Sequence, residues 1–213
     1  MINRIIQGNV TLLAAELVLM ISFWILWFAT RNTGFLLIGI LTVVFTVLTL
    51  SFLRDPDRRV PDETGVVLSP ADGKIVGIIR HKEKVKDPEH TLAIYLRLWD
   101  VHINRIPVSG TIETRRYQHG KFRPAFFHKA ASNEQMVLVI TDAEDRFVLK
   151  QIAGILARRI VCWVMPGNRV KQGDRFGLII LGSRVELTIP ARYKIAVRIN
   201  QKVKAGETIV ARL

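Results

Sequence analysis

Gly182-Ser183 is the pair of residues in this chain at which chemistry could begin. It interrupts a β-forming apolar run, with Leu178 to Leu181 before it and Val185 to Ile189 after it. Glycine inside a strand weakens the strand and marks a bulge or a close backbone approach. Taken alone, the pair has a simple reading, a β-bulge with a surface serine. A strained peptide allows another. Ser183 Oγ attacks the Gly182 carbonyl, the acyl group moves from nitrogen to oxygen, and elimination from the ester leaves Ser183 as an N-terminal pyruvoyl group. Three further stretches bear on the choice. Asp72-Gly73 is a turn signal, and an Asp on a turn can orient an imidazole. Asp100, His102 and Asn104 alternate with apolar residues and precede Arg105. In an extended chain the three share one face. A lone His is more often structural than catalytic, but one flanked by polar groups at i−2 and i+2 looks like the edge of an active site. Histidine is the natural general base near neutral pH. Asn133-Glu134 lies in loop-like sequence and could line a pocket. His119 and His128 have no metal-ligand spacing, so no metal is expected.

The elements that must position these residues fall into two kinds. Val10 to Ala29 is an apolar run broken only by Glu16, and Gly34 to Leu53 is a second run without any charge. Each is long enough to cross a hydrocarbon core of about 30 Å as a helix. With only Thr30-Arg31-Asn32-Thr33 between them, they predict a helical hairpin. Trp24 and Trp27 lie where aromatic belts form. A cleaved signal peptide is the competing reading of the first run, but the second would still stop in the membrane. Glu16 reads best as an interfacial residue. From Gly65 onward short β runs alternate with Gly, Pro and Asp, including Val66–Leu68, Gly73–Ile79, Thr91–Leu98, Gly110–Arg116, Met136–Thr141, Phe147–Ile152, Arg159–Val164, Phe176–Leu181 and Val185–Ile189. Ile152–Arg159 is a weak helix candidate that reads better as strand and turn. The expected fold is mainly β, a β-sandwich or barrel-like domain over 54–213, preceded by a transmembrane α-helical hairpin over 1–53. Val170 to Phe176 echoes Val203 to Ile209, with Pro70 to Val76 as a cousin. This is the look of the tight turns in lipoyl-type β-sandwiches.

Charge is segregated. Residues 1–53 carry Arg4, Arg31 and Glu16, a net of +1, which leaves +12 of the chain's +13 on the β region. Such a surface attracts nucleic acid or an anionic lipid surface. The apolar runs favour lipid, and no aromatic RNA-stacking signature is present. Arg4 precedes the first run and Arg54, Arg58 and Arg59 follow the second, so the β domain is expected on the cytoplasmic side of the cell membrane. Cys162, the single cysteine, excludes an intrachain disulfide and a cysteine-based zinc cluster. Its apolar neighbours suggest a buried, inert thiol.

Phe52-Leu53-Arg54-Asp55-Pro56, Ser69-Pro70-Ala71-Asp72-Gly73, Asp100-Val101-His102-Ile103-Asn104-Arg105 and Leu181-Gly182-Ser183, in that order, resemble the short membrane-anchored form of the phosphatidylserine decarboxylase family. Asn133-Glu134, Gln151 to Gly154 and Arg158-Arg159 add to the likeness, which covers essentially the whole chain. The resemblance implies a proenzyme that cuts itself between Gly182 and Ser183. The products are a β chain of residues 1–182 and an α chain of residues 183–213 that begins with a pyruvoyl group formed from Ser183. It implies decarboxylation of phosphatidylserine, an anionic phospholipid, to phosphatidylethanolamine, the pyruvoyl carbonyl acting as electron sink. Ser183, His102 and Asp72 match the catalytic positions, and Arg105, Asn104 and Asn133 are candidates for substrate binding. In one place the sequence departs from the pattern. Longer members have His-x-x-His, and here the second position is Arg105. Either His102 serves both cleavage and decarboxylation, or another group replaces the missing base. Other readings are a decarboxylase of another serine-headed lipid such as archaetidylserine, a non-catalytic membrane-tethered lipoyl-like module, and a nucleic-acid-binding protein, which leaves the hairpin unexplained. Homo-oligomerisation stays open.

Overall fold

The structure is a computed structural model that describes residues 2–81, 89–121, 132–143, 145–154, 160–179 and 183–213. The chain forms two compact units, Met1–Arg54 and Asp55–Leu213. In the first, α1 (Ile2–Thr30) and α2 (Thr33–Leu53) make a hairpin. Within them Leu13–Thr30 and Thr33–Ser51 have mean hydropathies of 1.9 and 2.4, long and apolar enough to cross a membrane. Asn32 caps α2, its side chain accepting from Gly34 N at 2.8 Å and so satisfying a backbone donor the helix cannot. The Arg31 guanidinium lies 5.5 Å from the ring centroids of both Trp27 and Phe28. Glu16 differs from expectation. It is buried midway along α1, and Thr49 Oγ1 of α2 donates to its Oε1 at 3.0 Å. A polar partner on the facing helix serves an acid in an apolar hairpin better than apolar surroundings would.

Among the described residues the second unit is built mainly of β-strands. Its strands are β1 (Val66–Leu68), β2 (Gly73–His81), β3 (Glu89–Tyr95), β4 (Ile103–Arg105), β5 (Gly110–Gln118), β6 (Gln135–Asp142) and β7 (Asp145–Ile152), then β8 (Ile160–Cys162), β9 (Arg169–Val170), β10 (Arg175–Ile179), β11 (Arg184–Pro190), β12 (Lys194–Ile195), β13 (Lys202–Val203) and β14 (Ile209–Arg212). Eight form one curled antiparallel sheet in the order β13-β2-β3-β11-β7-β6-β5-β9, and two smaller sheets run β1-β14-β12 and β4-β10-β8. Burial explains the order. β11 is buried at nearly every position, as a strand covered on both faces must be, and it lies near the middle of the large sheet. β5 buries little and lies near the edge. Phe147, Phe176, Leu68, Ile94, Leu138 and Leu187 belong to the fully excluded core. Cys162 is buried as expected, and burial pushes its thiol pKa up.

The echoed segments fold alike, with Asp174 N bonded to Lys171 O at 3.0 Å and Glu207 N to Lys204 O at 3.2 Å. The strand expected over Thr91–Leu98 ends at Tyr95, because Arg97 to Asp100 close into a turn in which Asp100 N donates to Arg97 O at 3.1 Å. Most of the weak helix candidate lies outside the described residues, and its first residue closes β7.

Gly73 opens β2 at a φ of 150°, and a Cβ there would lie 2.2 Å from the Tyr95 carbonyl oxygen. The atom in the way is backbone, so the strands themselves would have to part. Gly73→Ala is therefore expected to cost at least about 2 kcal/mol, combining an unfavourable φ with overpacking. The check is the thermal midpoint of the purified protein, which should fall by several degrees.

Candidate functional site

Strand register brings the dispersed candidates to one end of the large sheet. Lys74 pairs with Tyr95, Tyr95 with Arg184, Arg184 with Ile152, Ile152 with Gln135, and Gln135 with Gln118. This row crosses β2, β3, β11, β7, β6 and β5. Just beyond it along the chain lie Asp72, Leu96, Ser183, Ala153 and Asn133-Glu134. Asp72, Ser183 and Asn133 are far apart in sequence, and antiparallel pairing alone places them at a common edge.

Ser183 immediately precedes β11 and is completely buried, which removes the reading as a surface serine. Its carbonyl accepts from Leu96 N at 2.9 Å, while its Oγ has no hydrogen-bond partner among the described residues. A sealed, unpaired hydroxyl costs roughly 1–3 kcal/mol, and such groups concentrate where a structure keeps reactive or strained chemistry. Gly182 lies outside the described residues, as does the Arg158-Arg159 pair.

His102 is likewise completely buried, just ahead of β4, and its carbonyl accepts from Ile179 N at 3.3 Å. That bond ties the histidine backbone to β10, the strand that runs toward Ser183. The expected shared face of Asp100, His102 and Asn104 does not form. Asp100 belongs to the preceding turn, where its carboxylate accepts from Arg97 N, Nε and Nη2 at 2.8 to 3.0 Å. Burial alone would raise its pKa, but the hydrogen bonds and charge of Arg97 prevail and hold it below the usual carboxylate value. Asn104 is buried in β4, and Gln151 Nε2 of β7 donates to its Oδ1 at 2.8 Å, joining the small sheet to the large one. Asn104 Nδ2 and Gln151 Oε1 are also buried with no hydrogen-bond partner among the described residues. Asn133 donates through Nδ2 to Ala153 O at 2.8 Å, so it braces the strand end next to Ser183.

The remaining candidates meet the segment that follows α2, whose Asp55-Pro56 belongs to the first motif of the resemblance. Arg58 Nη2 reaches both oxygens of Asp72, at 3.0 and 2.9 Å, and Ala205 N donates to Asp72 Oδ1 at 2.8 Å. Arg105 is turned into the same region. Its Nη1 donates to Gly173 O at 3.0 Å, and its Nη2 to Asp55 Oδ1 at 3.2 Å and Pro56 O at 3.1 Å. Burial, and then the charge of Arg175, lowers the pKa of this guanidinium against the opposing pull of Asp55. Both terminal nitrogens of Arg105, expected as a substrate contact, are engaged by protein in this structure. No signal in the sequence marked Arg58, because an arginine after an apolar helix already has an explanation.

A model of the family described as phosphatidylserine decarboxylase matches residues 45–211. The chain is also similar to proteins named phosphatidylserine decarboxylase proenzyme. That of Chlorobaculum tepidum is 44% identical over 168 residues, covering 78% of each chain. That of Chlorobium limicola is 42% identical over 175 residues, covering 81% of this chain and 82% of the relative. That of Nitratidesulfovibrio vulgaris is 41% identical over 186 residues, covering 84% and 86%.

At the far side of the row the Tyr117 hydroxyl donates to Glu134 Oε1. Burial, then that hydrogen bond, pushes the Tyr117 pKa up to about 12 from 10.0. Since the folded-state value exceeds the unfolded one, the stability this pair contributes is complete below pH 10 and is lost as pH rises toward 12. Glu134→Gln should move the phenol back toward its ordinary value, measured as phenolate absorbance in an alkaline titration against the parent protein.

Proposed function

The chain belongs to the phosphatidylserine decarboxylase family and is an enzyme of the lyase class, and from that premise we propose that it converts phosphatidylserine to phosphatidylethanolamine and CO2 with a pyruvoyl group made from its own Ser183. The observation that carries this reading is the sealed, unpartnered Ser183 Oγ directly after Gly182 in the chain. The residues present fit the group. The serine is held at its carbonyl by Leu96 N, at the start of a central strand, among side chains that exclude water. The group supplies an electrophilic carbonyl that accepts electrons from the carbon losing CO2.

Maturation needs only water from outside. Ser183 Oγ attacks the Gly182 carbonyl carbon and gives up its proton. The peptide C–N bond breaks, so residue 183 gains a free amine and the Gly182 acyl group is carried as an ester. Loss of the residue 183 α-proton then expels the Gly182 carboxylate, and hydrolysis of the resulting enamine releases ammonia and leaves the keto group. No electrons enter or leave. His102, buried on the approach to β4, is the group we assign to proton transfer, with Asp72 as the acid of the Pro-Ala-Asp-Gly turn. Asn104 keeps a buried donor that suits the carboxylate or phosphate of a serine phospholipid, and Asn133 is a nearby candidate for the same task. The helical hairpin anchors the enzyme in the bilayer that holds its substrate, and the arginines beside the outer helix ends, Arg4, Arg54, Arg58 and Arg59, favour a cytoplasmic catalytic unit.

The native protein should show two masses, those of residues 1–182 and of 183–213 with Ser183 replaced by pyruvoyl. Ser183→Ala should remain one chain without decarboxylase activity. An uncut parent chain with unmodified Ser183 that still decarboxylates phosphatidylserine would sink the proposal. His102→Ala is expected to slow cleavage, decarboxylation or both by about a hundredfold or more. Timing both reactions in that variant decides whether one histidine serves two steps.

A further inference from the structure

Segment 55–58 has no regular secondary structure, yet buried or half-buried charge pairs hold it at both ends. Asp55 is gripped by Arg105 at 3.2 Å and by Arg175 at 2.5 Å, and Arg105 also holds the Pro56 carbonyl. Gly206 faces Arg105 so closely that a Cβ would lie 2.9 Å from its Cδ. At the other end Arg58 lies over Asp72, with side chains only 5% and 14% exposed. Nη1 of Arg58 lies 3.9 Å from Glu207, and its Nε is buried with no hydrogen-bond partner among the described residues. An arginine so little exposed has surrendered most of its hydration, which only a well-placed acid can offset. One nitrogen, Nη2, lies within reach of both oxygens of one carboxylate while Nη1 faces Glu207, so the planar guanidinium is set between two acids and holds that carboxylate from a fixed direction. The carboxylate is that of Asp72, at the sheet end that carries Ser183.

We propose that segment 55–58 is a strap belonging to the processing site, and that Arg58 is a positioning residue holding the Asp72 carboxylate in its working orientation. The inference rests on the reading above in which Asp72 takes part in self-cleavage. Arg105 and Arg175 serve the same end at one remove, by fixing Asp55 and with it the path of the strap. Position 105 thus carries an arginine that secures the strap. A lysine at position 58 would keep the charge but lose the rigid guanidinium plane that sets Nη2 on Asp72 and Nη1 toward Glu207, so it should substitute only in part.

The test follows conversion of the full-length chain into its two products over time. Arg58→Ala should slow conversion about tenfold or more, with Arg58→Lys falling between that variant and the parent. Arg59→Ala, which removes the exposed neighbouring charge, should convert like the parent. Millimolar guanidinium should restore part of the Arg58→Ala rate, and sodium chloride at equal concentration should not. Guanidinium weakens a merely destabilised fold, so a purely structural defect would move the opposite way. Parental conversion in Arg58→Ala, or slow conversion that neither guanidinium nor lysine relieves, overturns the proposal. Asp72→Asn separates it from the reading beneath it. If that variant converts normally, the role of Asp72 fails and the strap proposal with it. If it stays uncut while Arg58→Ala converts normally, only the strap proposal fails.

Discussion

A hydroxyl cut off from water and left without a partner is an expense that the fold bears at Ser183. Everything near it is arranged to keep it there. β11 starts at the next residue and is laddered to β3 on one side and β7 on the other, so the backbone beyond the serine has little freedom. Leu96 N holds its carbonyl, and the Asn104–Gln151 bond locks the layer that carries His102 and β10 onto the large sheet. A surface loop could display the same serine, but water would solvate it.

Polar groups around this point follow a consistent division. Some are fully engaged by protein: Asp100 by Arg97, Asp72 by Arg58 and Ala205, and Arg105 by Asp55 and two carbonyls. These resist reorientation, because breaking any one strands a poorly hydrated charge. Ser183 Oγ and Asn104 Nδ2 are buried without such engagement. Rigid charges framing a few unsatisfied groups is the expected form of a preorganised site, where the framework carries geometry and the unsatisfied atoms meet the reacting partner.

The alternation of apolar and polar residues exposed most strands to sequence reading, since a two-residue period has few alternatives between Gly, Pro and Asp punctuation. The helical hairpin was legible from length and hydropathy. Less legible was whatever depended on a partner distant in sequence. Asp100 looked like one face of a strand because nothing local shows that Arg97 would claim it. Glu16 looked interfacial because Thr49 is an unremarkable residue in another apolar run. Arg58 had a sufficient local explanation, and its partner Asp72 lies fourteen residues further on, beyond any local pattern. Ser183 was found by its neighbour Gly182, but its burial follows from the placement of β11 among eight strands, which no local pattern encodes.

The placement of residues 183–213 has a mechanical consequence. These residues supply β11 to the middle of the large sheet, β13 to its outer strand β2, and β14 to β1. Severing the main chain ahead of Ser183 would therefore release no separable peptide. The short fragment is woven through three places in the fabric of the longer one, so the two would part only when the whole unit unravels, and a freshly made chain end would stay seated where it was created.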